Sequence, residues 1–264
     1  MERHEAKYIV PAAQLPEIRE FIQPFCVPDP NAKGDIPEYT LTTLQLDSPD
    51  MTLYRAWRDN SVNRFKLRIR GYEGGDEGGS VFVEVKRKIK GVVVKTRCMI
   101  PRSFVCGELF DSAKRATTPP FRSHKERVNF SEFSRLVEIL GARPVVLIRY
   151  IRESYLGAND LYARVTFDRK LTYSLTRNWD LQPENVRWRP MDSTLALDRP
   201  VSGHVLELKT YRDTPRWMVD MTERFSLVRS GFCKYATALR LESLYKGSTH
   251  PDEWESCTYN TVGI

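Results

Sequence analysis

Six segments of this chain alternate charged and aliphatic residues with the two-residue period of a β-strand, and most of the charges are cations. Successive strand residues point to opposite faces of a sheet. Within residues 64–70, Lys66, Arg68 and Arg70 therefore share one face, and Phe65, Leu67 and Ile69 share the other. Within 81–86, three valines oppose Glu84 and Lys86, and the pattern returns at 92–97, 148–152, 162–168 and 205–209. The wet face of an antiparallel sheet gives such alternation. So does a barrel whose interior is the charged face. The hairpin around Lys90-Gly91 separates the two, because a two-residue loop between β-branched runs fixes the register. It sets Lys86 opposite Lys95 and Glu84 opposite Arg97. Directly opposed like charges destabilise a sheet by roughly 0.2–1 kcal/mol. Such a pair has no purpose on a free outer face and has one in a site built for a polyanion.

The balance of charge agrees. Lys+Arg number 41 against 34 Asp+Glu, a formal charge of +7, which suggests an anionic partner. The cations alternate with Val, Ile and Leu rather than forming basic runs interleaved with aromatics. An enclosed site is expected, and no nucleic-acid partner. Five cysteines, odd in number and without C-x-x-C spacing, exclude a disulfide framework or zinc ribbon and suit a reducing cytoplasm. The charged start at residues 1–5 does not read as a signal peptide, and the longest mid-chain aliphatic run, 145–148, is far too short to span a bilayer. At 264 residues, with no repeat or linker, the chain is expected to form a single domain over 1–264 with a loose tail from about 247.

Along the chain, strands are expected at 7–10, 39–46, 64–72, 80–89, 92–100, 145–153, 161–171 and 203–211. Leu15, Ile18, Phe21 and Ile22 lie at helical spacing and predict a short helix that plugs or covers the sheet. Residues 106–127 read as irregular. Ser131 is a plausible N-cap for a helix that Gly141 stops. Thr214-Pro215 opens another helix, and a last one spans about 233–245. The glycine-rich segment 73–79 lacks the Lys-Ser/Thr of a phosphate loop and reads as a hairpin connection.

One face from each strand gathers Glu5, Lys7, Arg68, Arg70, Glu84, Lys86, Lys95, Arg97, Arg152, Arg164, Glu207 and Lys209. Dry and empty, such an interior would be intolerable. Around a triphosphate or longer phosphate chain, with one or two carboxylates holding a divalent metal, it becomes reasonable. Hard oxygen ligands favour Mg²⁺ or Mn²⁺. Arginine suits bidentate phosphate contacts and lysine acts as a point charge.

The motifs resemble the VTC domain: Arg3-x-Glu5-x-Lys7-Tyr8, Lys66-Leu67-Arg68-Ile69-Arg70, Glu84-Val85-Lys86 with Lys95 beyond, Tyr150-Ile151-Arg152, Arg164-Val165-Thr166-Phe167-Asp168, Leu206-Glu207-Leu208-Lys209 and Phe232-Cys233-Lys234-Tyr235. This is the polyphosphate polymerase branch of the triphosphate tunnel metalloenzymes (CYTH-like). The resemblance implies an α+β fold, an antiparallel β-barrel tunnel with flanking helices. It implies a phosphotransferase that takes ATP and, with Mn²⁺ or Mg²⁺, moves the γ-phosphoryl onto a polyphosphate chain. Carried over, Arg68, Arg70, Lys86, Lys95, Arg152, Arg164 and Lys234 bind the phosphate chain. Lys7 joins that basic set, with Lys209 and Arg97 as further substrate-binding candidates. Glu207 is the metal ligand, Glu5 and Glu84 fall at acidic positions shared more widely, and Asp168 is equally well a structural ion-pair residue.

The chain also departs from the family. Where the family commonly has Lys-Phe-Ser-Lys, this sequence has Gly231-Phe232-Cys233-Lys234, so one lysine and one hydroxyl are missing. No SPX regulatory domain is read here, so regulation by inositol phosphates is not implied. The leading expectation is a cytoplasmic polyphosphate polymerase. Its enzymatic rival is a triphosphatase, with water replacing the acceptor. The rival from another class is a non-catalytic module that binds polyphosphate for a membrane-protein or kinase-like partner.

Overall fold

The computed structural model describes residues 4–32, 34–73, 79–159, 163–197, 203–211 and 213–247. Most of the glycine-rich connection expected at 73–79, the tail beyond 247 and Cys257 lie outside the described residues.

The strands are β1 (His4–Pro11), β2 (Cys26–Pro28), β3 (Glu38–Asp47), β4 (Asn63–Tyr72), β5 (Ser80–Ile89), β6 (Val92–Pro101), β7 (Arg143–Gly157), β8 (Arg164–Leu175), β9 (Arg189–Pro190) and β10 (Gly203–Thr210). The helices are α1 (Leu15–Ile22), α2 (Thr52–Arg58), α3 (His124–Leu140), α4 (Thr194–Leu197), α5 (Arg216–Arg224) and α6 (Lys234–Tyr245). The main path of the sheet runs β1-β10-β8-β7-β3-β4-β5-β6, antiparallel at every step. Short β2 and β9 pair with β7 and β8.

The β5–β6 hairpin has the register that its turn demands. Lys90 and Gly91 both have positive φ, 47° and 90°, the backbone that matches a two-residue turn to the twist of its strands. Glu84 then pairs with Arg97 and Lys86 with Lys95.

The sheet is not closed into a barrel. Among the described residues no ladder joins β1 to β6. The free edge of β1 is occupied instead by the chain before α6. Tyr8 forms a bridge with Arg229, and Ser230 N donates to Lys7 O at 2.7 Å. Even so, the sheet curls strongly. Six strand steps separate β1 from β5, about 29 Å in a flat sheet at about 4.8 Å per step. Yet Lys86 Nζ on β5 lies 2.8 Å from Glu5 Oε2 on β1. Only a sheet bent back on itself lets those side chains meet.

Three apolar layers support the bend. Leu15, Ile18 and Ile22 of α1 and Trp217, Met218 and Met221 of α5 cover the outer face of β1, β10 and β8, against Tyr8, Val10, Val165, Phe167, Leu206 and Leu208. Phe130, Phe133 and Val137 of α3 cover Leu67, Ile69, Val81, Val83 and Val85 on the outer face of β4 and β5. The third layer is inside the curve, where α6 sets Tyr235, Ala238 and Leu239 against Ile9, Leu41, Ile148, Tyr150 and Val205. Residues of the same strands a few positions along this inner face are the charged ones. The inner face is thus apolar under α6 and ionic beyond its N-terminus.

Helix α3 starts at His124, capped by Ser123, whose hydroxyl accepts from Glu126 N, and not at the expected Ser131. Gly141 ends it with φ 55°, the left-handed backbone glycine tolerates best. A bulge interrupts the β7–β8 register between Arg149 and Ile151, and Lys170 takes up the extra residue with φ 49°. It moves the inward positions of β8 from Asp168 to Leu171 and Tyr173.

Candidate functional site

The ionic part of the inner face collects side chains from β1, β4, β5, β6, β7, β8, β10 and the start of α6. Ten cations are Lys7, Lys66, Arg68, Arg70, Lys86, Lys95, Arg152, Arg164, Lys209 and Lys234, against four carboxylates, Glu5, Glu84, Asp168 and Glu207. Three of the four carboxylates are shared between cations. Glu84, 1% exposed, accepts from Arg68 Nε at 2.6 Å and also meets Lys95 Nζ. Glu5 takes Lys86 Nζ at 2.8 and 3.0 Å. Glu207 lies 2.7 Å from Lys209, 3.3 Å from Lys7, 3.5 Å from Arg152 and 3.9 Å from Lys234. Asp168, fully buried, binds Arg152 through two hydrogen bonds of 2.6 and 2.7 Å and Lys234 at 2.5 Å.

β1 and β10 set the pattern. Glu5 pairs with Lys209 and Lys7 with Glu207 across the ladder, so the four side chains form a square of alternating sign. The opposed lysines of the hairpin are not left facing each other, since Lys86 turns to Glu5 and Lys95 to Glu84. Glu84 stands opposite Arg97 in the ladder, as the register requires, while its carboxylate makes its ion pairs with Arg68 and Lys95. Arg97 is exposed at the rim, its guanidinium 4.8 Å from the Phe82 ring centre. Arg164 stands across the ladder from Lys209. Arg70 is buried, and its Nε has no hydrogen-bond partner among the described residues.

The electrostatics follow from this crowding. Burial pushes the Glu5 carboxyl up, but Lys86 and Lys209 outweigh it and hold it at about 2. Burial likewise opposes ionisation of Glu84 and Glu207. Arg68, Arg70 and Lys95 hold the first well below the ordinary carboxylate range, and Lys209, Lys7, Arg152 and Lys234 hold the second there. Some lysines pay the opposite way: burial pushes Lys86 down to about 8 and Lys95 to about 7, against the pull of Glu5 and Glu84. A second dense charge of the same sign nearby adds to both shifts. The inner face therefore holds more positive charge than its own carboxylates neutralise.

Two contacts were not legible as site features. Lys66 Nζ lies 2.8 Å from Cys233 Sγ. That ammonium outweighs burial and lowers the Cys233 thiol below its ordinary value. Asp168, readable from sequence only as one of two equal alternatives, is the best-held carboxylate of the group. In both cases the signal was the parity of a strand residue, while the partner lay far away in the chain.

Among the described residues no group of three or more His, Cys, Asp or Glu side chains is placed to hold a metal ion. Glu84 belongs to a different ion-pair group from Glu207. Glu5 and Glu207 are close enough that each charge disfavours the other. A pair of carboxylates fits a hard divalent cation that takes its remaining oxygens from substrate phosphates and water. A cavity of about 890 Å³ lies elsewhere, between α3, β7 and the 107–111 segment, lined by Asp47, Phe110, Glu138 and Trp179 among others. Nothing in its mixed lining selects a ligand, and the chemistry is concentrated on the inner face, where the ion pairs occupy the space.

The VTC domain model matches residues 2–242 of the chain. No curated protein matches it. Among solved structures, the chain is similar to "Structure of PH1819 protein from Pyrococcus Horikoshii OT3", with a TM-score of 0.45 and 11% identity, covering 91% of this chain and 99% of that one.

Proposed function

This chain belongs to the VTC domain family, and from that premise we propose that it is a metal-dependent polyphosphate polymerase. It transfers the γ-phosphoryl of ATP to a polyphosphate chain lying in the curl of the sheet, which acts as a basic tunnel. The observation that carries the reading is the excess of cations, ten against four carboxylates, on one largely buried face. Buried charge of one sign is costly unless matched, and a phosphate chain matches it along its whole length.

In this reading Arg68, Arg70, Lys86, Lys95, Arg152, Arg164 and Lys234 hold phosphoryl oxygens. Lys7 and Lys209 complete the set beside Glu207, and Arg97 meets the chain at the rim. Arg70, with its unpartnered Nε, offers a donor that no group among the described residues already occupies. Glu207 with Glu5 would hold Mn²⁺ or Mg²⁺, and Glu84 steadies Arg68 and Lys95. When bound, the metal supplies neutralisation of charge on the transferring group. Phosphoryl transfer asks little else of the protein than positioning and charge neutralisation.

One feature favours polymerisation over hydrolysis. Water must lose a proton to attack, and all four inner carboxylates are ion-paired, with Glu5, Glu84, Asp168 and Glu207 held low by neighbouring cations. Such groups are weak bases, and Lys95, the inner group held near neutrality, is engaged by Glu84. A polyphosphate terminus is already an anion and needs no base.

The test is incubation of the full chain with ATP and Mn²⁺, products resolved by gel, beside Glu207→Gln. A polyphosphate ladder from the wild type and none from the variant is expected. Free phosphate alone would favour the triphosphatase, and no turnover with any divalent metal, with tripolyphosphate still bound, would favour the non-catalytic module.

A further inference from the structure

One row across the inner face consists of three lysines. Lys66 stands opposite Lys86, and Lys86 opposite Lys95, on the neighbouring strands β4, β5 and β6. At about 4.8 Å between strands, the three stems fall within a span of about 10 Å. Each is held by a group from elsewhere: Lys86 by Glu5, Lys95 by Glu84 and Lys66 by Cys233. Two of these partners are carboxylates. The third is a sulfur, a weaker acceptor than a charged oxygen.

Lys66 is thus the member of the row with the most to gain from an incoming anion. It shares its strand face with Arg68 and Arg70. Its partner Cys233 immediately precedes Lys234, whose ammonium lies at Asp168, so the sulfur sits within the ionic face and not behind it. The lysine stem is long and flexible, and exchanging one acceptor for another needs no backbone movement.

We propose that Lys66 is a further phosphate-binding residue of this face, and that the Cys233 sulfur is the acceptor it exchanges for a phosphoryl oxygen when a phosphate chain binds. This rests on the phosphate-chain reading above. Cys233 is then a resident competitor, and removing its sulfur strengthens binding through Lys66. A merely structural contact predicts the opposite, since losing it would loosen the site.

The experiment is calorimetric titration of tripolyphosphate, without metal, into the full-length wild type, Lys66→Met, Lys66→Arg, Cys233→Ala and the Lys66→Met/Cys233→Ala double variant. Lys125→Met, which removes the same charge from an exposed position on α3, controls for net charge. Lys66→Met should weaken binding about tenfold, the equivalent of one charge-assisted hydrogen bond. Lys66→Arg should retain most of the affinity and Lys125→Met all of it. Cys233→Ala should tighten binding about threefold in the wild type and leave it unchanged in the Lys66→Met background, the mark of a sulfur acting through Lys66. Lys66→Met binding as tightly as the wild type overturns the inference alone. So does a Cys233→Ala effect that is absent, or that persists without Lys66. Should Lys66→Met not fold, the Cys233→Ala arm decides. A wild type that does not bind tripolyphosphate removes the phosphate-chain reading, and this inference with it.

Discussion

Replacing Glu84 by glutamine keeps the shape of the side chain and removes its charge. Glu84 is 1% exposed, receives Arg68 Nε at 2.6 Å and also meets Lys95. Taking away one partner of a fully buried ion pair costs about 3–5 kcal/mol. Here the side chains of Arg68 and Lys95 are 18% and 26% exposed, and the amide oxygen still accepts a hydrogen bond. The expected loss is therefore smaller, about 2 kcal/mol, which lowers the melting midpoint of a chain this size by about 4–8 °C. The distinguishing step is to repeat the melt with excess tripolyphosphate in metal-free buffer. The wild type gains about 2.7 kcal/mol at 100 times its dissociation constant. The variant should gain more at the same concentration, because the phosphate now supplies the missing anion to Arg68, Arg70 and Lys95, and the gap between the two proteins should shrink by half or more. A gap equally wide with and without tripolyphosphate would mean that Glu84 neutralises a structural pair and not a phosphate site. No destabilisation at all would mean that the cations around it are solvated.

Two further outcomes follow from the same residues. Burial holds Lys95 at about 7 and Lys86 at about 8 in the folded protein, below an unfolded value near 10.4. The unfolded chain then binds more protons across pH 7–10, so stability of the unliganded protein should rise with pH over that window, the penalty being fully present below about 7. Chemical denaturation at several pH values checks this, and Lys95→Met should flatten the slope; a stability that falls over the window would contradict it. Gly231 is exposed, and a Cβ there would meet no atom within 4 Å. Gly231→Lys, restoring the lysine common in the family, should therefore fold normally and tighten tripolyphosphate binding several-fold by calorimetry, whereas unchanged affinity would place residue 231 outside the reach of the chain.

Much of the inner face was legible because strand parity is a local property. The Lys90-Gly91 turn fixed which residues of β5 and β6 oppose one another, and the structure keeps that register. Parity says which face a side chain takes, but not which partner it chooses. Glu84 turns to Arg68 and Lys95, and Lys66 to a cysteine 167 residues away. Those choices depend on the curl of the sheet, which no local pattern encodes. Closure failed for a related reason: segment 229–230 occupies the free edge of β1 that β6 would have needed. Helix α2 escaped notice because its cap comes from outside it. Asp47 accepts from the backbone N–H groups of Leu53 and Tyr54 at 2.8 and 2.9 Å, across a left-handed Met51. In α3 the Ser123-x-x-Glu126 cap was present in the sequence, but the apolar spacing becomes clear only from Phe130, and so the first turns were read as loop. The bulge at Lys170 likewise shifts the parity of β8 without any glycine or proline to mark it.

The proposed function requires that the surplus positive charge of the inner face holds a phosphate chain. Side-by-side titration of tripolyphosphate and a short DNA duplex into the wild type at physiological salt tests it most directly. An enclosed site should bind one tripolyphosphate tightly and the duplex only weakly, with the steep salt dependence of a surface contact. Failure to bind tripolyphosphate, or duplex binding of equal strength, would contradict it.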